Sequence, residues 1–280
     1  MLRKFASTGL AVCLVWTSFA FGDTDSTAPA ALSTSVKRFS LATTLSRSNS
    51  LYNRQDGSEQ ASWDLSISPS YKITKDISLF AVVDGSQDIK AEEADFGRGV
   101  LGLRKKNISI FNERTNLSPS ISLGFPVSKA AKAGSLQSTL SAGLRIDSAP
   151  GSLIWKRFSL GGALGLTRNF HQYDTAISGR VNTQYSSNQS IDMSWAFSDT
   201  FSLSISALHY DTLSYQGTHN DYYSHSQELG ISLSEKASFA VGHQYGSPFV
   251  STLKSNGQDL NITLMDETNS FIYGQVTLTY

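Results

Sequence analysis

The chain has 280 residues, 16% of them charged and 40% hydrophobic, with a mean hydropathy of −0.18. Lys plus Arg and Asp plus Glu balance at 23 each, which leaves no electrostatic basis for nucleic-acid binding. No apolar run reaches the roughly 18–20 residues that a spanning helix requires, and a composition rich in Tyr, Phe, Gly, Ser and Thr is that of an all-β protein.

The N-terminus reads as a secretory signal peptide, residues 1–22. Arg3 and Lys4 form a positive n-region, Gly9 to Phe21 an apolar core, and Ala20-Phe21-Gly22 supplies small residues before cleavage. The only cysteine, Cys13, lies inside this leader. The mature chain is therefore expected to hold no disulfide, thiolate metal site or cysteine nucleophile. Losing Arg3 and Lys4 leaves a net charge of about −2. Residues 23–35 are small and polar and are predicted to be a flexible periplasmic lead-in, with a small plug as the other reading. Residues 36–280 form the remaining domain.

A short pattern then repeats. Lys37-Arg38-Phe39-Ser40-Leu41 returns as Lys156-Arg157-Phe158-Ser159-Leu160. Looser copies start at Lys75, Lys106, Asp199 and Glu235. Each places polar turn residues before an apolar–Ser–apolar start, so six copies predict six hairpins and twelve strands. Residues 73–76, 198–200 and 234–237 allow only tight turns. The alternate connections, about 47–61, 84–95, 169–188, 211–224 and 246–268, are expected to be long loops. Between them apolar residues recur with period two, as in Trp63, Leu65, Ile67 and Tyr71, in Leu140, Leu144 and Ile146, in Phe158, Leu160, Leu164 and Leu166, and in Ile191, Met193 and Trp195. The stretch from Asn107 to Val127 is too long for one strand and contains Pro119. Of its two halves, Leu117–Val127 is the preferred wall strand over Asn107–Glu113. Residues 176–186 also alternate and are predicted to extend a strand.

The last stretch alternates Ile272, Gly274, Val276, Leu278 and Tyr280 against Gln275, Thr277 and Thr279, and ends on an aromatic ring. This resembles the closing strand of Gram-negative outer-membrane β-barrels. The resemblance implies an antiparallel up-and-down transmembrane barrel. It further implies that Ile272, Val276, Leu278 and Tyr280 address the chain to the barrel-assembly machinery. Short turns on one side and long loops on the other fit that family. Its partners would be outer-membrane lipid and lipopolysaccharide. The apolar parity would then face lipid and the polar parity the lumen. A soluble β-protein shows the same period with its apolar face turned inward.

On the polar parity, Asp64, Lys72, Arg98, Arg145, Asp192 and Glu228 are the lumen-lining candidates, and their mixed signs predict a weak field favouring neutral or zwitterionic solutes. His209, His225 and His243 share the outward parity near the long-loop ends. With Tyr222 and Tyr223 they form a candidate interfacial rim. Outer-membrane phospholipases pair a His with a Ser two residues later, a spacing absent here, where Gln227 follows His225 and Asp211 follows His209. His209, His219, His225 and Asp221 have no diagnostic metal spacing; no metal and no cofactor is expected. The acidic stretch 84–95 is expected to be a solvated loop. Gly97-Arg98-Gly99-Val100-Leu101-Gly102 matches the dinucleotide fingerprint by letter but alternates like a wall strand. The expected function is a narrow passive channel for small solutes. A membrane-facing lipid hydrolase built on the rim histidines, or an adhesive barrel presenting Tyr215, Tyr222 and Tyr223, are the alternatives.

Overall fold

The computed structural model describes residues 38–51, 59–106, 108–110, 115–148, 157–248, 250–251, 259–260, 264–266 and 269–280. The predicted signal peptide and lead-in lie outside them. In chain order the strands are β1 Phe39–Ser50, β2 Ala61–Lys72, β3 Ile77–Asp88, β4 Glu93–Lys105, β5 Ile108–Ile110, β6 Thr115–Phe125, β7 Leu136–Ser148 and β8 Phe158–His171. They continue as β9 Thr183–Ala196, β10 Phe201–Ser214, β11 His219–Ser234, β12 Ala237–Ser247, β13 Val250–Ser251, β14 Asp259–Leu260 and β15 Ser270–Thr279. One short helix, α1 Lys129–Ala133, is capped by the Ser128 hydroxyl, which accepts from the Ala131 N–H at 3.0 Å.

Twelve strands, β1–β4, β6–β12 and β15, make the wall. Each pairs antiparallel with its neighbours in sequence, and the ring closes where β15 meets β1. The terminal residue itself is sewn into that seam. Tyr280 N donates to Leu41 O at 2.8 Å, and Leu41 N donates back at 3.0 Å. The Lys236 ammonium stands 5.9 Å from the Tyr280 ring centre. Closure leaves the wall no free strand edge, which hydrocarbon requires because it offers backbone groups no partner.

The orientation of the wall decides between membrane and soluble barrels. Leu164 is 56% exposed, Trp195 50%, Val276 40% and Leu278 54%. Their parity faces outward all round the ring, so the apolar set meets lipid and the structure is a transmembrane barrel. On β2, outward Trp63 and Tyr71 bracket Leu65 and Ile67. Eight residues along a tilted strand rise about 20 Å, close to the apolar band of such barrels. Replacing outward Val276 with arginine is expected to cost about 2–4 kcal/mol near the middle of this band. Urea titration in vesicles will read it as a lowered midpoint, while an unchanged midpoint would place Val276 outside the lipid belt.

Five of the six repeats open wall strands, at Phe39, Ile77, Phe158, Phe201 and Ala237. The copy at Lys106 instead opens β5, which extends the β4–β6 hairpin below the wall. The wall strand there is β6, and Pro119 explains the break. The β4 pairing on β6 ends at Arg104↔Ser120 and resumes at Ile108↔Leu117 in β5. Proline brings no N–H to a ladder, and the gap falls opposite it. The β2–β3 ladder lapses in the same way at Pro69.

Two expected long loops are corrected. Most of 84–95 is strand, since β3 runs to Asp88 and β4 starts at Glu93. Likewise 211–224 is a tall hairpin whose connection is residues 215–218. Both stretches are polar because they carry inward or rim side chains, and polarity alone does not separate those from loops. Within 176–186, strand begins only at Thr183, after an isolated Thr175↔Val181 bridge.

Candidate functional site

The inner face carries three polar clusters on three separate parts of the ring. The first spans β2–β4. Gly97 and Arg98 stand against Asp84 at a register shift, a bulge that leaves Arg98 on the inward parity of β4 and turns Phe96 outside. Arg98 Nε donates to Asp84 Oδ2 at 2.8 Å, and the Ser66 hydroxyl donates to Asp84 Oδ1 at 2.7 Å. Asp64 accepts from Ser62 at 2.9 Å beside them. Asp84 is almost fully buried, not part of a solvated loop.

The second cluster joins β7 and β9. Arg145 reaches Asp192 with both terminal nitrogens, at 3.0 and 2.9 Å, and its Nε donates to Asp147 Oδ2 at 3.0 Å. This fork matches carboxylate geometry and fixes both acids. Gly161 on β8 makes the room: a Cβ there would lie 2.5 Å from Asp192 Oδ2 and 2.6 Å from Arg145 Nη2. Arg104 lies over the Phe80 ring, 4.7 Å from its centre. The third cluster joins β11 and β15. Glu228 Oε2 accepts from Tyr273 Oη at 3.0 Å and from Gln275 Nε2 at 2.7 Å.

Of the six lumen candidates, Lys72 stands at the turn end of β2 on the inward parity, and the other five belong to these clusters. Asp84, Asp147, Arg104 and Tyr273 complete them. The same parity count identifies these four, with Asp84 in strand β3 rather than in the expected loop. Between the clusters the wall is lined by hydroxyl pairs across neighbouring strands, such as Thr44 with Thr277, Ser141 with Thr167 and Ser206 with Ser226, at 2.8–3.0 Å. Such pairs satisfy small polar side chains laterally.

On the outward face His209, His225 and His243 share the parity of Leu203, Leu229 and Val241. His209 lies eight residues above Phe201, the interval that separates Trp63 from Tyr71, so it stands at the outer edge of the apolar band. Its Nδ1 meets Gln189 Oε1 at 2.7 Å and Asp211 at 3.4 Å. Gln227 links the other two histidines, with Nε2 2.7 Å from His225 Nδ1 and Oε1 2.9 Å from His243 Nδ1. Tyr223 is part of this rim, but Tyr222 is not. It sits on the inward parity with Glu228, with its hydroxyl against Gly246. One-residue steps along a strand reverse the face. The hydroxyl of Ser187, also outward, donates to Asp211 at 3.4 Å rather than to an imidazole. Among the described residues this rim has no serine–histidine relay of the kind nucleophilic hydrolysis needs. The described residues likewise hold no group of three or more metal-ligating side chains.

No protein-family model and no curated protein sequence matches the chain. Solved structures do. The NanC porin superposes with a TM-score of 0.54 at 8% identity, over 86% of this chain and 99% of that one. An outer-membrane channel from Pseudomonas putida F1 superposes with a TM-score of 0.59 at 9% identity, over 89% and 100%. At such identities the likeness is one of fold, and it agrees with the outward apolar face and the seam closed by the terminal strand. By fold, then, the chain is a closed twelve-stranded antiparallel transmembrane β-barrel, similar in architecture to a solved porin and a solved outer-membrane channel.

Proposed function

We propose that this barrel sits in the outer membrane of a Gram-negative cell and acts as a narrow passive channel for small solutes. Residues 1–22 serve as its export signal. The observation that carries the reading is water access at the inner face. Arg98, Asp147 and Asp192 keep 47%, 32% and 35% of their side-chain surface accessible while pointing into the ring. Ionised groups at such positions need water or a partner, and these have both. Inward cations (Lys72, Arg98, Arg104, Arg145) and carboxylates (Asp64, Asp84, Asp147, Asp192, Glu228) nearly balance, so the field along the path is weak. Neutral or zwitterionic solutes then pay the smallest electrostatic penalty.

Purified barrel added to a planar bilayer is expected to give discrete conductance steps with little preference between potassium and chloride. A folded barrel, established by anomalous gel migration without boiling, that stays electrically silent overturns the channel reading. In cells, deleting Tyr280 is expected to reduce assembled barrel strongly, because the terminal ring is proposed as part of the assembly signal and its backbone closes the seam. Heat-modifiable protein in membrane fractions measures this; wild-type levels would remove that role.

A further inference from the structure

We infer that the inner wall of β11, β12 and β15 carries a subsite for a neutral saccharide. The inference rests on the channel reading, for which it names a class of solute. Its frame is the inward face of β12, where Gly242, Gln244 and Gly246 follow one another. One registered row joins Glu228, Gly242 and Tyr273 across the three strands. Gly242 has no side chain, so the Tyr273 ring crosses β12 and its hydroxyl donates to Glu228 on the far strand at 3.0 Å. A Cβ at Gly242 would lie 2.5 Å from Tyr273 Oη, which places the ring directly on the backbone. Tyr222 does the same from the opposite side: a Cβ at Gly246 would lie 2.9 Å from its Cζ. A ring with one face on a glycine turns its other face to the lumen.

Polar groups stand between and beside the two rings. Gln244 lies midway, and among the described residues its amide has no hydrogen-bond partner, so two donors and an acceptor are available there. Tyr273 Oη and Gln275 Nε2 both donate to Glu228 Oε2, at 3.0 and 2.7 Å, which leaves Oε1 of that carboxylate as an acceptor. Tyr222, Glu228, Gln244 and Tyr273 are all half-buried, so each keeps contact with the lumen. The two glycines are about 13 Å apart along the strand, room for more than one sugar ring. Gly246 and Tyr222 lie near the loop end of their strands, so a solute entering from outside meets Tyr222 first and Tyr273 deeper. Sugar rings present both surfaces that this wall complements. Their C–H groups pack on an aromatic face, and their hydroxyls bond amide and carboxylate groups around it. A compact cation is held by aromatic faces that converge on it, whereas these rings lie side by side in one wall. A purely apolar solute would leave Gln244 and Glu228 desolvated without partners.

The test uses the full barrel with maltose as the probe, read as saturable block of the bilayer current and by calorimetry on detergent-solubilised protein. Wild type is expected to bind maltose saturably, and to bind mannitol about tenfold more weakly because an open chain has no ring face to stack. Gln244→Leu is expected to weaken maltose about fivefold, the loss of one hydrogen bond. Tyr222→Phe keeps the aromatic face and is expected to bind as wild type does, while Tyr222→Leu binds about fivefold more weakly. Thr167→Val, a change of an inward hydroxyl on β8, is expected to leave maltose affinity unchanged. Gel migration of all variants should equal wild type, which separates a lost contact from a lost fold. Equal affinity for maltose and mannitol overturns the inference. So does wild-type affinity in both Gln244→Leu and Tyr222→Leu, and so does tighter binding of tetramethylammonium than of maltose. A barrel that conducts but ignores maltose in both readouts overturns the subsite and leaves the channel. A silent barrel that binds maltose in calorimetry overturns the channel and supports the subsite.

Discussion

Replacing Arg145 with alanine is expected to turn a weakly selective barrel into a cation-selective one. Arg145 holds Asp147 and Asp192 together, and all three line the inner face. Its removal leaves two carboxylates with no guanidinium between them. A unit charge about 4 Å away is worth about 1 kcal/mol in an aqueous path, or roughly fivefold in ion partition. The potassium-to-chloride permeability ratio should therefore rise by about that factor. The reversal potential under a tenfold salt gradient measures it. The shift should shrink at high ionic strength, since salt screens charges that face water. An unchanged reversal potential would mean that ions do not pass the cluster. Arg145→Lys tests the geometry separately. It restores the charge but not the two-pronged contact with Asp192, so selectivity should return toward wild type while stability does not return fully.

Gly102→Val is expected to be among the most damaging single changes in the wall. A Cβ at Gly102 would lie 2.6 Å from the Phe80 ring, 2.7 Å from Ile121 O and 2.7 Å from Ser122 Cβ. Ile121 O belongs to the adjacent strand, so the clash cannot be relieved by turning a side chain. Phe80 is in turn held beneath the Arg104 guanidinium. Overpacking of this kind costs about 1–3 kcal/mol and at times more, and here it also strains the pairing that joins β4 to β6. The expected result is a lower urea midpoint and loss of the fast-migrating folded band. Gly274→Ala provides the comparison, because the nearest atom to its Cβ would be 3.9 Å away, an ordinary contact. Equal midpoints for the two variants would show that Gly102 is not needed at this approach. Gly102 also closes the letter match to a dinucleotide fingerprint. Its geometry gives a different reason for the glycine, which is room for an aromatic ring inside a barrel.

Period-two alternation was enough to establish strands, their faces and the closed wall. A strand has only two faces, and hydrocarbon tolerates only the apolar one. Hence Trp195, Leu164, Val276 and Leu278 could be assigned outward from their neighbours, and Asp64, Arg145, Asp192 and Glu228 inward. The same period misled wherever polarity stood for a loop, at Asp84 and at residues 211–224. A polar strand residue and a polar loop residue differ in register, not in composition. It also failed at Tyr222, whose face depends on counting one residue along a strand. What only the tertiary structure decided is which residues meet across strands. Arg98 meets Asp84 because a bulge sets both Gly97 and Arg98 opposite it, and Arg145 reaches Asp192 across β8 because Gly161 leaves room. Strand register brings Leu144, Leu164, Gln189 and His209 into one outward row. Such meetings depend on register and tilt around a closed ring. These are properties of the whole sheet, and no single strand encodes them.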